Sequence, residues 1–220
     1  MRLSFLLLFI SWILDIIKEM PDFIVPENNP PYKYTYTGKN HIDNRLVHII
    51  SFRQKDHVRE PLYCGELFIE DDNKALVEAR IAIIPKLINK ATHSFIDKKP
   101  LGLQMTLQEA AYIVSYKPSN NGFYYASHVR GDIRFKIRRK NRLFTSSLHF
   151  WFEMATCEID TCEVKTFPPN ERLSATRIFA ETKSVYDKNF WEHFNVILPE
   201  EDLKNAIMHN LREALVTKQE

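Results

Sequence analysis

The sequence predicts a mainly β fold of the α+β class. We expect one large curled antiparallel sheet of about seven or eight long strands, half-barrel-like, covered by a short central helix and a C-terminal helix. Three features predict it. The stretch Leu62 to Ile84, LYCGELFIEDDNKALVEARIAII, reads as a β-hairpin. Further runs of alternating apolar and polar residues stand on both sides of it, separated by turn clusters. After Asp187 the pattern changes to a helical period.

In the hairpin, Asp71-Asp72-Asn73-Lys74 separates two strand-like runs. Asp and Asn bond their own backbone and tolerate left-handed φ, so the tetrad is a turn with a mechanism. Alternation places Tyr63, Gly65, Leu67 and Ile69 on one face of the first strand and Val77, Ala79, Ile81 and Ile83 on one face of the second. Glu66, Glu78 and Arg80 then face solvent.

Before the hairpin, Leu3 to Leu14 is apolar and is followed by Asp15, Lys18 and Glu19. About a dozen apolar residues are too few to span a bilayer, and no small-x-small cleavage site follows. A helix packed through Leu6, Ile10, Leu14 and Ile17, a vestigial signal-like segment and a membrane-surface anchor each fit residues 1–20. Pro21 to Pro31 is expected as a linker, leading to one domain over residues 32–217. In that domain Tyr32, Tyr34 and Tyr36 share a strand face, Asp43-Asn44 turns the chain, Leu46 to Phe52 returns, and Arg53 to Glu60 is a polar loop. Lys86 to Asp97 reads as a short helix lying across the sheet. Leu103 to Tyr116, Phe123 to Arg138 and Phe144 to Glu158 read as strands, the first two joined by a turn at Pro118 to Gly122. The C-terminal helix, 199–216, starts on Pro199 and three acidic residues and buries Leu203, Ile207, Leu211 and Leu215.

Composition narrows function without naming it. The chain has 220 residues, 45% hydrophobic and 12% aromatic, which excludes a mostly disordered protein. A net charge of +2 makes polyanion binding a matter of a local patch. The three cysteines, Cys64, Cys157 and Cys162, form no CxxC pair, so no zinc module is implied; Cys157 and Cys162 fit either a hairpin disulfide or two buried thiols. His41, His48, His57, His93, His128, His149, His193 and His209 are scattered, and HExxH, GxSxG, SxxK and a glycine-rich phosphate loop are missing from the sequence. On one strand His149, Glu153 and Cys157 stand four residues apart, roughly 13 Å at each step, too far for one ion. We therefore expect no catalytic residue, metal or cofactor.

Two sets of candidate binding residues remain. Arg130, Arg134, Lys136, Arg138, Arg139, Lys140 and Arg142 form a basic stripe, opposed by a single Asp132 and alternating with Ile133, Phe135 and Ile137. It suits phosphate groups or a docking partner, and equally the solvent face of a strand. Tyr34, Leu67, Ile81 and Ile113 are candidates to line an apolar cavity in the concave side of the sheet. The same residues could fill a closed core.

The hairpin residues, KKPLGLQMTLQEAAYIVSYKP, NGFYYASHVRGDIRFK, RLFTSSLHFWFEMATCE and YDKNFWEHFNVILPEEDLKNAI carry a family likeness. From about Pro21 to Leu215 the chain resembles the C-terminal domain of Bacteroides-type envelope proteins labelled carboxypeptidase-like regulatory domain-containing. In those proteins a small regulatory β-sandwich precedes this part. Its absence suggests a truncated or split reading frame. The peptidase likeness belongs to that sandwich, and no peptidase ligand set matches here. More loosely, the succession of strands is similar to the half-open barrels of periplasmic lipoprotein carriers. The resemblance implies a non-enzymatic, monomeric domain, periplasmic or associated with the outer membrane, or cytoplasmic if the N-terminal segment is no signal. Its expected partner is a lipid or an envelope protein, with peripheral membrane association open and nucleic acid not favoured. A structural interaction module with a solid core and a basic docking strand, and a hydrolase with a dispersed site, are the alternatives.

Overall fold

The structure is a computed structural model and describes residues 16–24, 30–96, 101–140, 144–159 and 197. By internal contacts the chain divides into Met1–Ser184 and Val185–Glu220, and the elements named here belong to the first unit. The expected C-terminal helix, Arg142, Cys162 and residues 1–15 lie outside the described residues.

Seven strands form one antiparallel sheet in sequence order: β1 (Tyr32–Ile42), β2 (Arg45–Gln54), β3 (Tyr63–Glu70), β4 (Leu76–Ile83), β5 (Leu103–Pro118), β6 (Tyr124–Arg139) and β7 (Thr145–Ala155). The sheet is not closed: among the described residues β1 pairs only with β2, and β7 only with β6. The turns follow from their residues. Asp43 and Asn44 both take positive φ (47° and 63°), as a two-residue type I′ hairpin demands. Between β3 and β4, Asn73 Oδ1 accepts the Ala75 N–H at 2.9 Å and Lys74 takes φ 61°. Between β5 and β6, Gly122 (φ 82°) closes onto the Ser119 carbonyl at 2.9 Å.

One face carries the main core. Tyr32, Phe52, Leu67, Ile81, Tyr112, Val114, Ile133 and Phe135 are buried together on it. A smaller cluster, Val47, Phe68 and Val77, is buried on the other face. Val77 corrects the expected alternation. The β3–β4 register shifts between Phe68 and Ile69, so that Ile69 pairs with Leu76 and Phe68 with Glu78, and the extra residue joins the opposite side.

The expected helix after Pro85 is instead a 3-10 segment, Pro85–Ala91, followed by one α-turn, α2 (Thr92–Phe95). It still covers the core with Ile88 and Ala91, and Thr92 Oγ1 accepts the Leu107 N–H of β5 at 3.0 Å. The stretch expected as a linker also does more than connect. A four-residue turn, α1 (Ile16–Glu19), leads to Phe23, and both Ile16 and Phe23 are only 2% exposed. Phe23 stacks on Phe52 at 4.6 Å and meets Tyr32 and Tyr63 edge-on at 6.3 and 6.1 Å. Ile17, assigned by the sequence to the buried stripe, is 47% exposed while its neighbour Ile16 is buried. Too short to show a stripe, the turn orients itself by its contacts: Ile17 N–H donates to Tyr116 Oη at 3.3 Å.

Candidate functional site

On the main core face, at the β1–β4 side of the sheet, the residues leave an apolar pocket of about 390 Å³. Ile17, Phe23, Ile24 and Pro30 bound it from the N-terminal segment, and Tyr34, Ile50, Leu67, Ile69, Lys74 and Leu76 from the strands. Alternation builds the strand wall. Ile50 pairs with Leu67 and Ile69 with Leu76, and such cross-strand partners share a face. Tyr34 fixes the N-terminal wall by donating its hydroxyl to the Phe23 carbonyl at 2.9 Å.

The pocket has a polar rim on the same face. The Tyr36 hydroxyl lies 3.2 Å from His48 Nδ1, and His48 Nε2 lies 2.5 Å from Asp71 Oδ1. Lys74 donates to the Asp71 backbone carbonyl, with its Nζ 3.6 Å from the Asp71 carboxylate. The bond from His48, and then the charges of Lys39 and Lys74, hold the Asp71 carboxyl below its usual range. A lowered carboxyl stabilises the fold above the ordinary carboxylate pKa, about 4, and that contribution is lost as pH falls through the lowered value. In a carboxyl NMR titration, His48→Ala is expected to move the Asp71 midpoint upward; an unmoved midpoint would show that His48 does not hold it.

Of the four candidate cavity residues, Tyr34 and Leu67 line this pocket, and Ile81 lies deeper in the same core. Ile113 is elsewhere. It pairs with Arg80 and Arg130, while Tyr112 pairs with Ile81, so Ile113 faces the opposite side of the sheet. Tyr112, deep in the core, and Tyr63, packed against it, have hydroxyls whose pKa burial pushes upward. Burial likewise raises the Cys64 thiol, whereas Cys157 is exposed beyond β7. The expectation of two buried thiols therefore fails at Cys157, and the disulfide alternative involves Cys162, outside the described residues.

The opposite face is charged, and the basic stripe divides along it. Arg130 Nε lies 3.0 Å from Asp132, with its guanidinium 5.5 Å from the centre of the Trp151 ring. Arg134 pairs with Glu109 at 3.2 Å. His149 reaches Asp132 at 3.2 Å and His128 reaches Glu153 at 2.8 Å. Glu66, Glu78 and Arg80, expected as simply solvated, also make contacts: Glu66 accepts from the Ser51 hydroxyl at 3.5 Å, Glu78 takes Arg80 at 2.7 Å and the Ser115 hydroxyl at 3.2 Å, and Arg80 covers the Phe68 ring at 4.8 Å. Lys136 and Arg138 enter none of these ion pairs and line a polar cleft. Arg139 and Lys140 are exposed at the strand end. Of the aromatics flanking the stripe, Tyr124 packs against the core and Phe144 is 87% exposed. Among the described residues, no group of three His, Cys, Asp or Glu side chains stands close enough to hold a metal ion.

No helix among the described residues is long and apolar enough to cross a membrane. Comparison of the chain with family models, with curated proteins and with solved structures finds no match.

Proposed function

We propose that this chain is a non-enzymatic binding domain of the bacterial cell envelope, periplasmic or on the inner side of the outer membrane, that holds a lipid-like, single-chain amphiphile. The observation that carries the reading is the 390 Å³ apolar pocket with its rim of Tyr36, His48, Asp71 and Lys74. Its volume lies in the range of about 300–1,000 Å³ usual for ligand sites, and one apolar wall with a few polar groups at the mouth suits an acyl chain with a small head. The reading takes the seven-stranded sheet to curl around its main core face, in the manner of half-open lipoprotein-carrier barrels. The sequence resemblance to Bacteroides-type envelope proteins supports the compartment.

Magnitudes decide which part of the ligand sets affinity. Ten buried methylenes contribute about 8 kcal/mol, at about 0.8 kcal/mol each. A head group meeting Lys74 at the exposed rim adds at most about 1 kcal/mol. Affinity for a fluorescent fatty-acid series is therefore expected to climb with chain length. Lys74→Ala should weaken binding less than about fivefold.

The reading is tested by native mass spectrometry of protein purified gently from an envelope extract. A stoichiometric adduct of lipid size, removed by organic solvent, is expected. Ile50→Trp, placed in the pocket wall, should lose it while keeping the wild-type circular dichroism. A clean apo mass for the wild-type protein overturns the proposal, as does an adduct that persists unchanged in Ile50→Trp.

A further inference from the structure

Two cations of β6, Lys136 and Arg138, converge on a cleft of about 440 Å³, on the face opposite the apolar pocket and at the β5–β7 side of the sheet. Its walls are Lys136, Arg138, Gln104, Thr106, Gln108, Thr145 and, from the 3-10 segment, Asn89. Among the described residues none of these walls is acidic, and each can donate a hydrogen bond.

The register explains how these residues meet. Arg138 pairs with Gln104 on one side and Thr145 on the other, and Lys136 pairs with Thr106 and Ser147. Two parallel rows result, each a cation flanked by neutral polar side chains. The cations are two residues apart on one strand, so their stems are separated by about 7 Å. The register shift between Leu107 and Glu109 leaves Gln108 unpaired in the β5–β6 ladder, and it lines the cleft.

Charge bookkeeping separates this cleft from the rest of the stripe. The carboxylates that β5, β6 and β7 place on this face, Asp132, Glu109 and Glu153, are engaged by Arg130, His149, Arg134 and His128. Among the described residues no ion pair engages Lys136 or Arg138. Two cations in a concave site lined by neutral donors attract an oxyanion. The guanidinium offers paired donors matching phosphate oxygens and the ammonium a compact charge.

We infer that the cleft of Lys136 and Arg138 is a binding site for a phosphate-monoester-type oxyanion. Lys136 and Arg138 clamp the anion from two sides, and Gln104, Thr106 and Thr145 set its orientation. Such a group comes from a soluble phosphorylated compound or from an anionic lipid head group. In either case the site is independent of the apolar pocket, because the two lie on opposite faces.

Isothermal titration of the full chain with inorganic phosphate tests the site, with phosphatidylcholine vesicles containing or lacking phosphatidic acid as a second arm. Saturable phosphate binding is expected. It should weaken at least about tenfold in Lys136→Ala/Arg138→Ala, and stay within about twofold in Lys33→Ala/Arg53→Ala, which removes the same charge from exposed positions of β1 and β2. Vesicle binding that requires phosphatidic acid, is lost in the Lys136/Arg138 variant and is competed by phosphate identifies a head group as the source. Phosphate binding without vesicle binding identifies a soluble compound. Both side chains, Lys136 and Arg138, are exposed, so the variant should keep the wild-type denaturation midpoint. Binding of neither probe, or equal binding by the wild type and the Lys136/Arg138 variant, overturns the inference.

Discussion

Gly65→Ala is expected to cost the fold at least about 3 kcal/mol, or to leave no folded protein at all. A Cβ at Gly65 would stand 1.9 Å from the Arg80 carbonyl oxygen, 2.9 Å from its carbon and 3.0 Å from Ile81 Cα. All three atoms belong to the backbone of β4, which Gly65 faces in the β3–β4 ladder. A side chain can swing aside; a paired backbone moves only by opening the sheet, and glycine in a strand interior marks such close approaches. Gly131→Ala supplies the contrast. Its Cβ would meet the Phe152 ring at 2.3 Å, but that ring can turn, so a smaller loss of about 1–2 kcal/mol is expected. Urea denaturation of the two variants checks the order. Equal, small losses would mean that β4 yields at Arg80.

Phe135→Ala is the second large effect, about 3–5 kcal/mol, taken from a total stability that for most domains is only about 5–15 kcal/mol. Phe135 is completely buried, stacks on Phe150 at 5.9 Å with the rings 19° apart, and lies across the ladder from Leu107, also completely buried. Truncation removes the burial of a ring and leaves a cavity between β5 and β7, where the sheet's own hydrogen bonds limit collapse. Its strand neighbours Arg134 and Lys136 are exposed on the other face, and alanine there is expected to change stability by less than about 0.5 kcal/mol. A loss below about 1 kcal/mol for Phe135→Ala would mean that the β5–β7 region is loosely packed.

These two positions also mark the boundary of what the chain reveals before it is folded. The alternation of Ile133, Phe135 and Ile137 with Arg134, Lys136 and Arg138 assigned a buried and a charged side to β6, and both exist. The turn residues Asp43-Asn44 and Pro118 to Gly122 located the hairpins, since their backbone preferences are local. What local preference does not encode is register. The extra residue near Val77 sends that side chain to the other face, and the bulge at Gln108 supplies a wall of the polar cleft.

Partners were hidden for the same reason. Asp132, two residues from Arg130, is the one carboxylate the strand itself supplies, but only the sheet places Glu109 beside Arg134 and leaves Lys136 and Arg138 facing neutral side chains. Phe23, in a proline-rich stretch that reads as a connector, becomes a wall of the apolar pocket only because Phe52, Tyr32 and Tyr63 stand ready to receive it. The sequence by itself determined the strands, their turns and the residue types on each face, because these depend on short-range backbone preference and a period of two. Tertiary structure alone decided which side chains meet across strands, and so where the pocket and the cleft lie, because cross-strand neighbours are set by register over the whole sheet.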